Sequence, residues 1–212
     1  MKKDLERRAY MFEIRAEKRE EGGSRIYGTP IVYGAATDIA GIFREVIEPG
    51  ALDGADLKDV PLLVNHNTEM IPVARSRRNT PNSTMRLTPN ERGLDMEAFL
   101  DTERNATARE LESAVERGDL SGMSFMFRVD SEKWEDLESD YPTRHIYKFS
   151  KIGEVSACTW PAYESTSIFT RSEGALESAR SALESARQRQ GKPPEGGEEI
   201  ELLKAKLKLI GG

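Results

Sequence analysis

The sequence predicts an α+β protein that is mainly β, a barrel-like β domain with surrounding helices and a helical C-terminal tail. Three observations predict this class. Many short segments alternate apolar and polar residues, one central segment has helical spacing, and residues 171–212 contain no aromatic residue. Because a compact core needs large apolar side chains, we assign the core to residues 1–170 and treat the remainder as an appendage.

The predicted strands follow from apolar residues that recur at every second position. Tyr10, Phe12 and Ile14 share one face of the first strand, and Gly28 to Pro30 interrupts the second strand as a bulge or an edge position. The charged segment 130–141 predicts a turn, and residues 144–160 predict two strands or one bent strand, with the break at Gly153. The predicted strands cover residues 10–16, 25–34, 42–47, 57–66, 94–100, 121–129 and 144–160.

One helix is predicted inside the core, from Thr102 to Arg117. Its apolar residues Ala108, Leu111 and Val115 recur at helical spacing, and Gly118 suits the left-handed exit from a helix. Directly after it, Phe125 and Phe127 alternate with Ser124 along the next strand. If the phenylalanines fill the core, Ser124 faces outward from a rigid element.

The tail divides into three predicted parts. The sequence LESAR occurs twice, at 176–180 and 183–187, and predicts a heptad-like helix over residues 171–190. Glycine and proline at 191–197 predict a linker, and residues 198–212 predict a C-terminal amphipathic helix. Its apolar stripe is Ile200, Leu203, Leu207 and Ile210. Such a short helix needs a partner surface. We expect it either to tether the protein to a partner or to pack on the core or in a homodimer.

Charge and composition narrow the function classes. The net charge of -6 predicts that neither nucleic acid nor an anionic membrane is a partner. The exception would be a local basic patch formed by Arg75, Arg77 and Arg78. The other interpretation of this cluster is a solvated loop. No apolar run is long enough to span a membrane. The lone Cys158 excludes a disulfide framework and fits a reducing compartment.

The chain has only two histidines, His66 and His145, which limits the choice of a general base. A serine nucleophile needs a base beside it and a third group that orients the base. Ser124 is the candidate nucleophile and His66 the candidate base, with Glu154 or His145 as the third member. Glu154 draws attention because its neighbours in IGEVSACTW are uncharged. Two histidines and one cysteine offer no zinc spacing, so we expect no metal and no cofactor.

Cys158 is the remaining nucleophilic side chain that could define a different hydrolase. Its setting, SACTW, has no histidine next to it in sequence. A small buried side chain is the simpler interpretation.

Four blocks carry a resemblance: FREVIEPGAL at 43–52, LLVNH at 62–66, GMSF at 122–125 and GEVSACTWPAY at 153–163. In this order they resemble the HK97-type phage prohead maturation proteases, which are related in fold to the herpesvirus capsid-maturation proteases. The resemblance extends over roughly residues 8–170. It implies a herpesvirus-protease-like β-barrel, with residues 1–170 as the protease domain.

The resemblance also implies an activity and its residues. It implies a serine endopeptidase that cleaves scaffold protein or the scaffolding segment of the major capsid protein, and also itself, within the procapsid in the host bacterial cytoplasm. Ser124 matches the nucleophile, His66 the base and Glu154 the acidic third member. His145 stays as the rival, because the herpesvirus relatives use a second histidine. Met126 stands where the family more often has glycine, which predicts a narrower substrate groove.

A homo-oligomer is expected as well. The competing hypothesis is a non-catalytic capsid or scaffold assembly factor that keeps this fold and acts through its tail.

Overall fold

The computed structural model describes residues 5–10, 14–20, 22–159 and 173–190. These residues are mainly β with two helices, which confirms the predicted α+β class. The helices are α1 (Ala106–Glu116) and α2 (Glu173–Gln190). The strands are β1 (Glu6–Tyr10), β2 (Ile14–Lys18), β3 (Ser24–Val32), β4 (Ala36–Ile39), β5 (Phe43–Ile47), β6 (Pro61–Val64), β7 (Ala74–Arg75), β8 (Met85–Asn90), β9 (Gly93–Leu100), β10 (Gly122–Glu135) and β11 (Thr143–Cys158).

The described strands form two sheets. The larger has seven strands in the order β1-β10-β11-β5-β4, with β6 between β11 and β7. The smaller is antiparallel, in the order β2-β3-β9-β8. No closed barrel is found among the described residues, so the barrel expected from the many short strands is replaced by two packed sheets.

The long strand β11 organises the larger sheet. On one edge it pairs with β10 along nearly its whole length. On the other edge its first four residues, Thr143 to Ile146, pair with β5, and Val155 to Ala157 near its end pair with β6, both in parallel. Of the two alternatives for residues 144–160, the structure has one continuous strand that changes partner along its length. Gly153 lies at a register shift, because Met126 pairs with Glu154 and Phe127 pairs with Ile152.

The main core lies between the two sheets and α1. Alternation works as predicted in β9 and β10, whose buried residues include Leu94, Met96, Phe125 and Phe127. The predicted interruption at Gly28 to Pro30 is confirmed, since the pairing of β3 with β9 shifts register between Gly28 and Ile31. Strands β4, β7 and β8 were not predicted.

Helix α1 is shorter than predicted. The Asn105 side chain accepts the Ala108 backbone N–H at 3.3 Å and caps the helix, so Thr102 to Arg104 lie before it. Ala108, Leu111 and Val115 are buried as expected. The helix ends at Gly118, whose φ of 77° is left-handed.

The segment 130–141 differs from the prediction in its first half. Strand β10 continues to Glu135, with residues from Ser131 to Glu135 paired to β11. Four register shifts occur between Met126 and Glu132. The side chains here are mostly polar, so backbone pairing rather than apolar alternation holds this half of the strand.

Helix α2 lies within the predicted heptad-like segment. Ala179, Leu183 and Ala186 are buried against Ile39 and Phe43 of the larger sheet. The division of the chain into domains stays a prediction, and the linker 191–197 and the apolar stripe of 198–212 lie outside the described residues. No helix in the described ranges is both long and apolar enough to cross a membrane.

Candidate active site

The candidate site is built on the pairing of β10 with β11. Ser124 lies opposite Ser156, and Met126 lies opposite Glu154. Directly paired residues project to the same face of a sheet, so the Ser124, Ser156 and Glu154 side chains share one face. Phe125 alternates onto the other face and is fully buried in the core. The two faces of this strand pair therefore differ: one carries polar side chains and the other carries aromatic side chains.

His66 reaches the polar face from the end of β6. Because β6 runs parallel to β11, with Val64 beside Ala157, the residues after it emerge next to the end of β11. Asn65 and His66 have left-handed φ angles of 50° and 59°. Asn65 holds this turn: its backbone N–H donates to Ala157 O at 2.9 Å, and its side-chain oxygen accepts the Thr159 backbone N–H at 3.0 Å.

His66 and Glu154 contact each other directly. Nδ1 of His66 is hydrogen-bonded to Oε1 of Glu154, and both side chains are largely buried, at 10% and 4% exposure. A carboxylate on Nδ1 favours the tautomer whose Nε2 is free to accept a proton. This is the arrangement that a general base requires.

Ser156 joins both members of that pair. Its hydroxyl donates to Oε1 of Glu154 at 3.0 Å and accepts the His66 backbone N–H at 3.2 Å. Ser156 is fully buried. It was not singled out from the sequence, although its place two residues after Glu154 on a strand puts it on the same face.

Cys158 lies on the Nε2 side of His66. The distance from its Sγ to Nε2 is 3.9 Å, across 92 residues of sequence. Cys158 is buried, as expected, and although no histidine is next to it in sequence, the fold brings His66 beside it. Burial, and then the Glu154 charge, raise the pKa of the Cys158 thiol to about 12, while the charge of Arg7 acts in the opposite direction. A thiol with this pKa is protonated at neutral pH and is a poor nucleophile.

Ser124 does not face solvent, contrary to the sequence expectation. Its side chain is fully buried, and its hydroxyl donates to the backbone carbonyl of Arg8 at 2.5 Å. The cause is β1, which pairs with β10 and places Ala9 opposite Ser124. The catalytic candidate is therefore covered by β1, whereas the alternation over residues 10–16 predicts a single first strand in place of β1 and β2.

His145 lies in a different part of the molecule. Its Nδ1 is 2.6 Å from Oε1 of Glu48, and its Nε2 is 3.5 Å from Oε2 of Glu135. It precedes Glu154 on β11 by nine residues, about 30 Å at roughly 3.3 Å per residue. The structure places Ser124 and Glu154 on one face and His66 against Glu154. Among the described residues the Ser124 hydroxyl donates to Arg8 and not to His66, and His145 lies apart from all three.

The sequence was then compared with known families. A profile of the caudovirus prohead serine proteases matches residues 11–180. The chain belongs to this family. The resemblance inferred from the four blocks is thereby confirmed, and the chain is placed among phage proteases of capsid maturation.

Two further comparisons concern individual proteins. Among solved structures, the chain is similar to the bacteriophage T4 capsid assembly protease, gp21. The identity is 14%, the match covers 74% of this chain and 97% of that chain, and the TM-score is 0.45. No curated protein matches the chain.

Proposed function

We propose that this chain is a serine endopeptidase in which Ser124 is the nucleophile, His66 the general base and Glu154 the group that orients the base. The contact of His66 with Glu154, on the sheet face that carries Ser124, is the observation that supports it most. Cys158 is the less suitable nucleophile because its pKa is raised to about 12. His145 is dropped as the third member because it contacts Glu48.

In the proposed reaction, Nε2 of His66 removes the Ser124 proton while Oγ forms a bond to the scissile carbonyl carbon. The tetrahedral intermediate collapses with cleavage of the C–N bond, and His66 passes the proton to the departing amine. Water then attacks the acyl-enzyme ester with the same base, which releases the acid and restores Ser124. Glu154 stabilises the imidazolium that forms in each half of the reaction.

The proposed substrates are scaffold protein or the scaffolding segment of the major capsid protein, and the chain itself. The proposed place of action is the interior of the procapsid within the host bacterial cytoplasm, where the enzyme acts as a homo-oligomer. Kinship in fold with the herpesvirus capsid-maturation proteases belongs to the same proposal. This kinship rests on the resemblance of the four sequence blocks alone, because the described strands form two sheets and not a closed barrel.

Co-expression with the capsid protein of the same phage tests the function. We expect wild type to shorten the capsid protein and Ser124→Ala to leave it intact. Ser121→Ala, an exposed serine just before β10, is the matched control and should process normally. Equal processing by wild type and Ser124→Ala would favour the non-catalytic assembly factor. Intact-mass measurement of the purified chain adds a second readout: trimmed ends that are absent in Ser124→Ala would establish self-cleavage.

A further inference from the structure

The outer edge of β10 beside Ser124 has the features of a binding site for an extended peptide. We propose that this edge, with Glu45 as its specificity residue, binds a substrate strand that carries an arginine next to Ser124, and that β1 occupies the site in this structure. The inference rests on the proposed function and names the substrate class for the same site.

The first argument is the position of β1 in the sheet. It is the terminal strand of the order β1-β10-β11-β5-β4, so β10 is the strand that it covers. The family match begins at residue 11, after β1 has ended. Without β1, the edge of β10 would present unpaired N–H and C=O groups, which accept an extended peptide by strand addition.

The second argument is the backbone geometry at Ser124. The Arg8 carbonyl accepts the Ser124 hydroxyl at 2.5 Å, so a peptide carbonyl already lies at the candidate nucleophile. The hydroxyl points to this oxygen, while Nε2 of His66 lies against Cys158. Since the proton of Ser124 is not directed to the base, this arrangement is a resting one, in which β1 holds the site without being cleaved.

The third argument is the environment of the Arg8 side chain. Arg8 lies opposite Phe125, so its side chain projects to the aromatic face and is fully buried there. Its guanidinium carbon lies 5.6 Å from the ring centroid of Phe43 and 5.5 Å from that of Phe127. Two aromatic rings therefore line the slot, and both contribute favourable cation–π interactions.

Glu45 closes the slot with a fully buried carboxylate. Arg8 Nε donates to Oε1 at 2.8 Å and Arg8 Nη2 donates to Oε2 at 3.1 Å. This two-pronged contact fits the fork of arginine and not the single ammonium of lysine. Arg144 also donates to Oε2 of Glu45, at 3.0 Å. Glu45 therefore keeps one cationic partner when β1 leaves, and an incoming arginine restores the second.

The first experiment follows Cys158, the single cysteine of the chain, in Ser124→Ala protein so that proteolysis plays no part. Cys158 reports on β1, because it is buried opposite Gly122 of β10, the strand whose outer edge β1 covers. We expect Arg8→Ala to raise the rate of maleimide labelling by at least about tenfold, since a bidentate ion pair is lost. The peptide LERRAY, the sequence of residues 5–10, should slow that labelling again. LERAAY, which lacks the Arg8 side chain, should not.

Either of two results would overturn the proposal that β1 occupies the edge. One is a labelling rate that Arg8→Ala leaves unchanged in a folded protein, and the other is an equal response to the two peptides. If circular dichroism shows that Arg8→Ala is unfolded, hydrogen exchange on the full Ser124→Ala chain decides instead. We expect the amides of β1 and of the β10 edge to exchange faster than those of β11, through local opening. Exchange of all three strands at one global rate contradicts the proposal.

The second experiment measures kcat/KM on peptides that differ only in the residue before the scissile bond. We expect arginine to be preferred over lysine and leucine, and Glu45→Gln to lower the arginine-to-leucine ratio by about tenfold or more. Cleavage with no preference for arginine contradicts this inference and leaves the proposed function intact. Peptide-dependent protection of Cys158 without any cleavage has the opposite meaning: the edge binds peptides, and the proposed catalysis fails.

Discussion

The hydroxyl of Ser156 donates to the Glu154 carboxylate at 3.0 Å, and the same oxygen accepts the backbone N–H of His66 at 3.2 Å. One side chain thus fixes the position of both the carboxylate and the histidine. The His66 backbone is left-handed, which costs free energy for a residue with a Cβ and has to be held by its surroundings.

Replacing Ser156 with alanine should therefore impair catalysis more than folding. We expect kcat/KM to fall about ten- to a hundredfold, because a hydrogen bond to a charged group contributes roughly 1.5–3 kcal/mol. Ser156→Thr, which keeps the hydroxyl, should recover part of the rate. Ser150→Ala, on the same strand, is the control; an equal loss there would point to general damage to β11.

Glu154→Gln and His145→Ala separate the two candidates for the third member. An amide at Glu154 stabilises the wrong tautomer of His66, so we expect kcat to fall by about two to four orders of magnitude. His145→Ala removes a contact with Glu48 far from Ser124 and should leave kcat near wild type. The reverse pattern, measured on the same peptide, would restore His145 as the third member.

Cys158→Ala should keep the proteolytic activity. The raised pKa of the thiol, to about 12, means that it carries no charge at neutral pH and does not act as nucleophile. Two measurements check this in parallel: the proteolytic activity of wild type treated with iodoacetamide, and the proteolytic activity of the Cys158→Ala variant. Loss of cleavage in Cys158→Ala, with Ser124→Ala still active, would make Cys158 the nucleophile.

The ion pairs of β1 predict an acid-sensitive contribution to stability. Burial alone would raise the pKa of Glu6, but Arg144 and Arg8 outweigh it and hold that pKa below its ordinary 4.5. A lowered pKa in the folded state stabilises the protein above pH 4.5, and this stabilisation is lost as the pH falls through the folded-state value. We expect wild type to have a higher Tm than Glu6→Gln at pH 7, with the gap closing towards pH 3. The exposed Glu91→Gln is the control, and a gap that stays constant with pH would refute the prediction.

Gly93→Ala should destabilise the smaller sheet. Gly93 has a φ of 149°, and a Cβ there would collide with the backbone carbonyl of Ile31. We expect a loss of about 2 kcal/mol or more in the free energy of unfolding by urea. Gly34→Ala is the matched control, because its φ of 71° is also positive but a Cβ there meets nothing within 4 Å. Equal losses in the two variants would mean that the collision contributes nothing.

Period-two alternation predicted the strands that bury one clear apolar face, such as β9 and the first half of β10. Alternation did not predict the strands in which only one or two residues are buried. In β4 only Ile39 is buried, and in β8 only Met85 and Leu87 are, so neither shows a pattern over enough positions. The polar side chains in the second half of β10 predict a turn, although its backbone is paired with β11.

The candidate site was predicted in part. The residue pattern makes Ser124, His66 and Glu154 candidates, and the block resemblance adds their roles. In the structure Ser124 and Glu154 share one face, and His66 contacts Glu154. Ser156 and Cys158 meet His66 only because β6 and β11 run parallel across some 90 residues of sequence, and local pattern carries no such information. The covering of Ser124 by β1 was not predicted either, since a strand of five residues without strict alternation gives a weak signal.

The register shifts between β10 and β11 have a consequence for engineering. Pairing is uninterrupted from Gly122 to Met126, and all four shifts lie beyond that point, between Met126 and Glu132. The irregular stretch separates the regular pairing at Ser124 from the far end of this hairpin. In the loop there, Leu137 packs on α2, whereas Asp140 is exposed. We therefore expect a short affinity tag inserted directly after Asp140 to leave the pairing of Ser124 with Ser156 as it is.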